Sequence, residues 1–159
     1  MQKRTFVFLA VCSAAIFAAG CTTPPPVTPQ NATALPPGTL PVTIHPDITH
    51  YTVLMSSTPG IGLSPVIAGQ VPAGNLTYVW KTYYGHFVGW SAPDYTIREL
   101  GTTVTGNVTK VYWSYLGENE SASRPPVHIT LTLLDPSGAT LGSAEQTLGW
   151  DRNGTAVIG

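Results

Sequence analysis

The chain has 159 residues, of which 43% are hydrophobic and only 9% charged, and its net charge is −1. That length accommodates one modest domain with a single core. The near-neutral balance supplies no basic face to neutralise phosphates, which argues against nucleic acid as a partner.

The N-terminus carries the first pattern. Lys3 and Arg4 precede an apolar stretch from Thr5 to Ala19, and Ala18-Ala19-Gly20 stands directly before Cys21. A basic start, an apolar run and small residues at its end read as a secretory signal, assigned to residues 1–20. The run falls short of the roughly 20 apolar residues that a comfortable membrane span needs. The cysteine in that place resembles a bacterial or archaeal lipobox, in which the thiol receives a lipid and becomes the new N-terminus. Cys21 is therefore the expected lipidation site, and the chain is expected on the outer face of the cytoplasmic membrane. An uncleaved anchor or cleavage to a soluble secreted form are the alternatives. Cys12, the other cysteine, follows Val11, which is too large for a cleavage site. No cysteine follows Cys21, so the exported part has no disulfide, no thiol nucleophile and no thiolate metal site.

Residues 21–46 are rich in proline and threonine, as in Thr22-Thr23-Pro24-Pro25-Pro26-Val27-Thr28-Pro29. Proline removes backbone donors and fixes φ, so this composition predicts a spacer rather than a helix or a central strand. From Asp47 to Gly159 the composition shifts to short aromatic and β-branched runs separated by glycine and proline. Tyr51 to Met55 and Ser64 to Gln70 are weak strand candidates. Leu76 to Thr82 is stronger, with Leu76, Tyr78 and Trp80 on one face. Tyr95 to Leu100 and Thr102 to Thr105 follow as weak candidates. Lys110 to Leu116 places Val111, Trp113 and Tyr115 on one face. Val127 to Leu133 alternates strictly between apolar and polar, as a half-buried strand does. Asp135-Pro136-Ser137-Gly138 suits a type I turn, and Ala139 to Leu148 can return as the hairpin partner. Asn153-Gly154 marks a further tight turn.

This succession predicts an all-β fold, a single antiparallel β-sandwich over residues 47–159. Trp80, followed by the aromatic strand Val111-Tyr112-Trp113-Ser114-Tyr115, resembles the core of immunoglobulin-like domains. The Val127 to Gly138 segment is similar to the closing hairpin of PKD-like and adhesion-type modules of surface proteins. The Cys…Trp…Cys framework of true immunoglobulin domains and the acidic, glycine-rich loop usual in PKD domains are both absent.

All five asparagines (Asn31, Asn75, Asn107, Asn119 and Asn153) begin Asn-X-Ser/Thr triplets. Chance would produce this on the order of once in several thousand such chains. They are glycosylation candidates at expected turns and strand edges. Turn preferences of asparagine are the alternative explanation. A lipobox with dense sequons resembles an archaeal cell-surface lipoprotein. After Cys21, five Lys and Arg stand against eight Asp and Glu, a net of −3.

No catalytic constellation emerges. His45 and His50 flank Asp47 but lack helical spacing and further ligands, so no metal site is expected, and no cofactor. His128 belongs to the polar side of its strand, and His86 to a turn. No serine lies in Gly-x-Ser-x-Gly. Gly60-Ile61-Gly62-Leu63-Ser64 lacks the strand-to-helix context of a phosphate loop. Asp94 and Glu99 could form a carboxylate pair for glycoside chemistry, although acids at that spacing are more often surface residues.

The one local excess is aromatic: Tyr78, Trp80, Tyr83, Tyr84, Phe87, Trp90 and Tyr95 lie close together. A disulfide-free domain needs large side chains inside, so most of these are expected in the core. Tyr83, Tyr84 and Trp90 are the candidates for exposure and ligand contact. The expected function is therefore a non-enzymatic, membrane-anchored surface module for adhesion, envelope organisation or partner binding. A carbohydrate or small-ligand receptor using the aromatic loop is the alternative, and an envelope hydrolase the third reading.

Overall fold

The computed structural model describes residues 40–71, 73–118 and 124–159. The first sheet has the order β1 (Val42–Pro46), β3 (Ile61–Ile67), β8 (Val111–Ser114), β5 (His86–Gly89), β6 (Arg98–Gly101). The second has the order β2 (His50–Tyr51), β11 (Ala156–Ile158), β10 (Thr140–Trp150), β9 (Val127–Leu134), β4 (Thr77–Thr82), β7 (Thr103–Gly106). Every pairing is antiparallel. The sheets pack face to face around one apolar core, so the fold is an all-β sandwich.

The alternation in β9 explains its place. Val127, Ile129, Leu131 and Leu133 are buried, His128 is exposed, and Thr130 and Thr132 are half-buried. β9 lies between β10 and β4, so its inward row meets the centre of the opposite sheet. The first sheet contributes Ile61, Leu63, Phe87, Val111 and Trp113 to the same cluster. Trp80 of β4 meets Phe87 of β5 edge-on across the interior, with ring centroids 6.5 Å apart. Fully burying each side chain of Leu or Phe size contributes roughly 1.5–3 kcal/mol. The buried indoles also need acceptors. Trp80 Nε1 donates to the Val108 carbonyl at 3.1 Å, and Trp113 Nε1 to that of Tyr84 at 2.8 Å.

Several expectations need correction. The spacer was expected to reach Pro46, but Leu40 is already buried and Val42–Pro46 forms β1. Proline does not forbid this because β1 is an edge strand, where a missing donor costs no ladder bond on the open side. Val42 and Ile44 point inward, and Thr43 and His45 outward. The strand expected at Ser64 to Gln70 begins three residues earlier, at Ile61. The glycines Gly60 and Gly62 look like loop punctuation but serve close packing. A Cβ on Gly60 would lie 2.2 Å from the Trp113 carbonyl oxygen, and one on Gly62 would lie 2.1 Å from Asp47 Oδ2. The strand expected over Tyr51 to Met55 is reduced to His50–Tyr51, after which the Met55 N–H turns back to the Thr52 carbonyl. His86, assigned to a turn, opens β5, which pairs with β8 and β6.

Two hairpin turns share one chemistry. In the first, the Gly138 N–H donates to the Asp135 carbonyl at 2.9 Å, and Asp135 Oδ1 accepts the N–H groups of Ser137 and Ala139. In the second, Gly154 donates to the Asp151 carbonyl at 3.1 Å, and Asp151 Oδ1 accepts from Asn153 and Thr155. The turn expected at Asn153-Gly154 is thus a four-residue turn organised by Asp151. An aspartate carboxylate satisfying its own turn's donors explains both.

Candidate functional site

The register gives the sandwich two distinguishable ends. Leu40 enters beside the start of β10, where its N–H donates to the Leu141 carbonyl at 2.9 Å. The Asp135 turn lies at this end too. At the other end lie the Tyr83 to Gly85 connection, the Asp151 turn and the segment after β8.

A groove of about 820 Å³ runs along the outer face of the first sheet. Its position follows from the alternation of two strands. Phe87 of β5 and Trp113 of β8 face the core, so His86, Val88 and Ser114 face outward and line the groove. Register pairs His86 with Ser114 and Val88 with both Tyr112 and Glu99, which brings β6 alongside. One wall is the β2–β3 loop, through Val53, Met55 and Thr58. The opposite wall is the β5–β6 loop, through Trp90, Tyr95 and Ile97. Leu116 and Glu118 line the end beyond β8.

The β5–β6 wall is held by stacked rings. Trp90 packs against Tyr95 at 5.2 Å and edge-on against Tyr112 at 5.5 Å between centroids. Tyr95 adopts φ +49°, a left-handed conformation that is uncommon for a bulky residue. The residue remains 56% exposed. Lys110 sits over the Tyr112 ring at 4.8 Å and pairs with Asp47 at 3.2 Å. Tyr112 and Asp47 beside it push the Lys110 ammonium above its ordinary pKa. On the opposite wall Tyr51 donates to the Pro59 carbonyl at 2.9 Å and bonds the Ser114 hydroxyl at 3.1 Å. Burial pushes the Tyr51 phenol up, so it stays protonated and fixes the loop against β8.

The three aromatic candidates do not form one platform. Tyr83 is 88% exposed at the end of the sandwich and lies outside the groove. Tyr84 is half-buried and packs edge-on against Trp150 at 5.8 Å. It belongs to a ring cluster in which Trp150 also meets Tyr115 at 5.0 Å and Trp113 at 6.1 Å. Arg124 covers this cluster, 4.8 Å from both the Tyr115 and Trp150 rings, and donates to the Gly154 carbonyl. Only Trp90 of the three reaches the groove. Its partner there is Tyr95, which the sequence included in the aromatic excess without assigning it to a site. Trp90 and Tyr95, separated by a Pro-containing loop, carried the available signal.

The other candidates are dispersed. Asp94 pairs with Arg98 at 3.3 Å, and both are exposed. Hydrogen bonding from the Thr96 backbone lowers its pKa, with Arg98 adding to this, so it stays ionised. Asp94 does not line the groove, whereas Glu99 does, so the two carboxylates do not share it. His45 and His50 are exposed, and His128 pairs with Glu145 across β9 and β10 at 2.5 Å. No group of three or more metal-ligating side chains comes together among the described residues. Asn75, Asn107 and Asn153 are all exposed, before β4, after β7 and in the β10–β11 turn. Cys21, Asn31 and Asn119 lie outside the described residues. No helix among the described residues is long and apolar enough to cross a membrane.

Comparison with protein-family models, curated proteins and solved structures finds no match to this chain.

Proposed function

We propose that this protein is a non-enzymatic binding module of an archaeal cell surface, lipid-anchored through Cys21 on the outer face of the cytoplasmic membrane. In this reading the residues after the anchor hold an immunoglobulin-like sandwich away from the lipid, and its sequons carry glycans. The observation that carries the binding function is the groove on the first sheet, open to solvent and walled by Trp90 and Tyr95. Aromatic walls with a few convergent polar groups are the usual composition of ligand sites. His86, Glu99, Ser114 and Glu118 are among the polar groups here, with Tyr51, Ser56 and Thr58. Adhesion or envelope organisation would follow from what occupies the groove.

The anchoring and binding parts are tested separately. Metabolic labelling with a radioactive lipid precursor should mark the wild-type protein and leave Cys21→Ser unlabelled and released from membranes. Equal membrane retention of both overturns the anchor. For binding, detergent-solubilised full-length protein is immobilised and titrated with solubilised surface extract while bound mass is followed by surface plasmon resonance. Trp90→Ala and Tyr95→Ala should each weaken any saturable binding about tenfold, since buried aromatic contacts are worth 1–2 kcal/mol or more. Undiminished binding by both variants removes the groove as the site.

A further inference from the structure

The charge and rim of the groove identify the chemistry of its occupant, given the binding reading above. Among the described residues, the only formal charges on its lining are negative, Glu99 on β6 and Glu118 beyond β8. No Lys or Arg of the described residues lines it. The two nearest cations by sequence already have partners: Lys110 has Asp47 and Tyr112, and Arg98 has Asp94. The rim is apolar. Tyr95, Ile97 and Leu116 line the groove at 56%, 54% and 58% exposure, and Leu54 stands 88% exposed between the lining residues Val53 and Met55. Three of the eight large exposed apolar side chains among the described residues therefore line this depression.

We infer that the groove binds an extended basic peptide segment of a partner protein, a lysine or arginine flanked by apolar residues. Trp is the aromatic ring with the strongest attraction for a cation, and Trp90 lines the same depression as two carboxylates. A guanidinium or ammonium there gains both kinds of contact, while flanking apolar side chains cover Ile97 and Leu116. An anionic partner would meet two uncompensated carboxylates, which discriminates against it.

The test uses full-length protein in detergent micelles and isothermal titration calorimetry. The probe is acetyl-Leu-Lys-Leu-Arg-Leu-amide, compared with an analogue in which norleucine replaces Lys and citrulline replaces Arg. The basic peptide should bind at least about tenfold more tightly than the neutral one. The double variant Glu99→Gln/Glu118→Gln should lose that preference. A control, Asp135→Asn/Glu145→Gln, removes two carboxylates of the second sheet and its β9–β10 turn, outside the groove, and should keep it. Circular dichroism checks that each variant is folded. Equal binding of both peptides overturns the charge inference and leaves the groove reading standing. Equal losses in the double variant and the control also overturn it, because bulk charge would then explain the binding. Binding of a neutral chito-oligosaccharide, weakened by Trp90→Ala, with no binding of the basic peptide, replaces the inference with a carbohydrate site. If nothing binds at millimolar concentration, both the inference and the groove reading fail.

Discussion

Replacing Gly62 by alanine adds a single methyl group, and the structure specifies what that methyl meets. The new Cβ would lie 2.1 Å from Asp47 Oδ2 and 2.6 Å from its carboxyl carbon, far inside contact distance. The Asp47 carboxylate must swing away. In doing so it abandons the Gly62 N–H, which it accepts at 2.7 Å, and its 3.2 Å pairing with Lys110. A hydrogen bond to a charged group contributes about 1.5–3 kcal/mol, reduced here toward ~1–2 because Asp47 is partly exposed. The exposed ion pair adds ~0–1 kcal/mol. Against this, alanine costs less backbone entropy on folding than glycine, by ~0.5–1 kcal/mol. The net expectation for Gly62→Ala is a loss of ~1–2 kcal/mol. Asp47→Ala should lose about as much, since it removes the same two interactions. The double variant has no carboxylate left to displace, so it should be no less stable than Asp47→Ala alone. The coupling between the two sites is then ~1–2 kcal/mol, read from urea unfolding of the four proteins. If the two losses simply add, the methyl is being resisted by something other than Asp47, and the argument is refuted.

Two further outcomes are expected. Arg124→Ala removes a cation from two aromatic faces and a donor from the Gly154 carbonyl. At ~0.5–1 kcal/mol per ring contact it should lower unfolding stability by ~1–2 kcal/mol; Arg124→Lys should recover part of that, and no change in urea midpoint would contradict it. Acid should also weaken the fold through Asp135 and Asp151. The Ser137 hydroxyl and the Ala139 N–H lower the first carboxyl, and the Thr155 N–H the second. A depressed folded pKa gives a contribution that is present above the unfolded value and lost as pH falls through the folded one. The urea midpoint should therefore decline from about pH 4 downward. Asp135→Asn/Asp151→Asn, which keeps turn-compatible side chains, should flatten that decline; an unchanged slope would exclude these two groups as its source.

Period-two alternation made the three longest strands of the second sheet readable, while β11 was not foreseen. Thr77–Thr82, Val127–Leu134 and Thr140–Trp150 all fall close to their predicted spans, because one face of each meets the core. The first sheet was harder. β8 lies inside its predicted span, Lys110 to Leu116, although all four of its residues are buried and no alternation survives in its accessibility. β3 hides its first half behind Gly60 and Gly62, whose small size records close approach by Trp113 and Asp47 rather than a turn. β1 carries the proline of a spacer yet pairs along its whole length with β3. The groove was legible only as an aromatic excess. Whether a ring in such a run faces the core, an end cluster or a groove depends on strand register, and Tyr84 and Trp90 fell to different places for that reason.

The pairing of β1 also determines how the domain bears a mechanical load. Val42 to Pro46 is matched to Ile67 to Leu63, and the chain enters this ladder at the Leu40 end. Antiparallel ladder bonds lie perpendicular to their strands. A pull on Leu40 along the strand, away from the Tyr83 end, loads those bonds together in shear instead of opening them one after another. Beyond them, the Asp47 N–H bond to the Gly62 carbonyl and the carboxylate bond to the Gly62 N–H lock the far end of the strand. A partner held in the groove would then tug against β5, β6 and β8, with β3 joining that half of the sheet to β1. The point of entry and the grip would share one continuous sheet, and force between them would pass through it without having to separate the two layers of the sandwich.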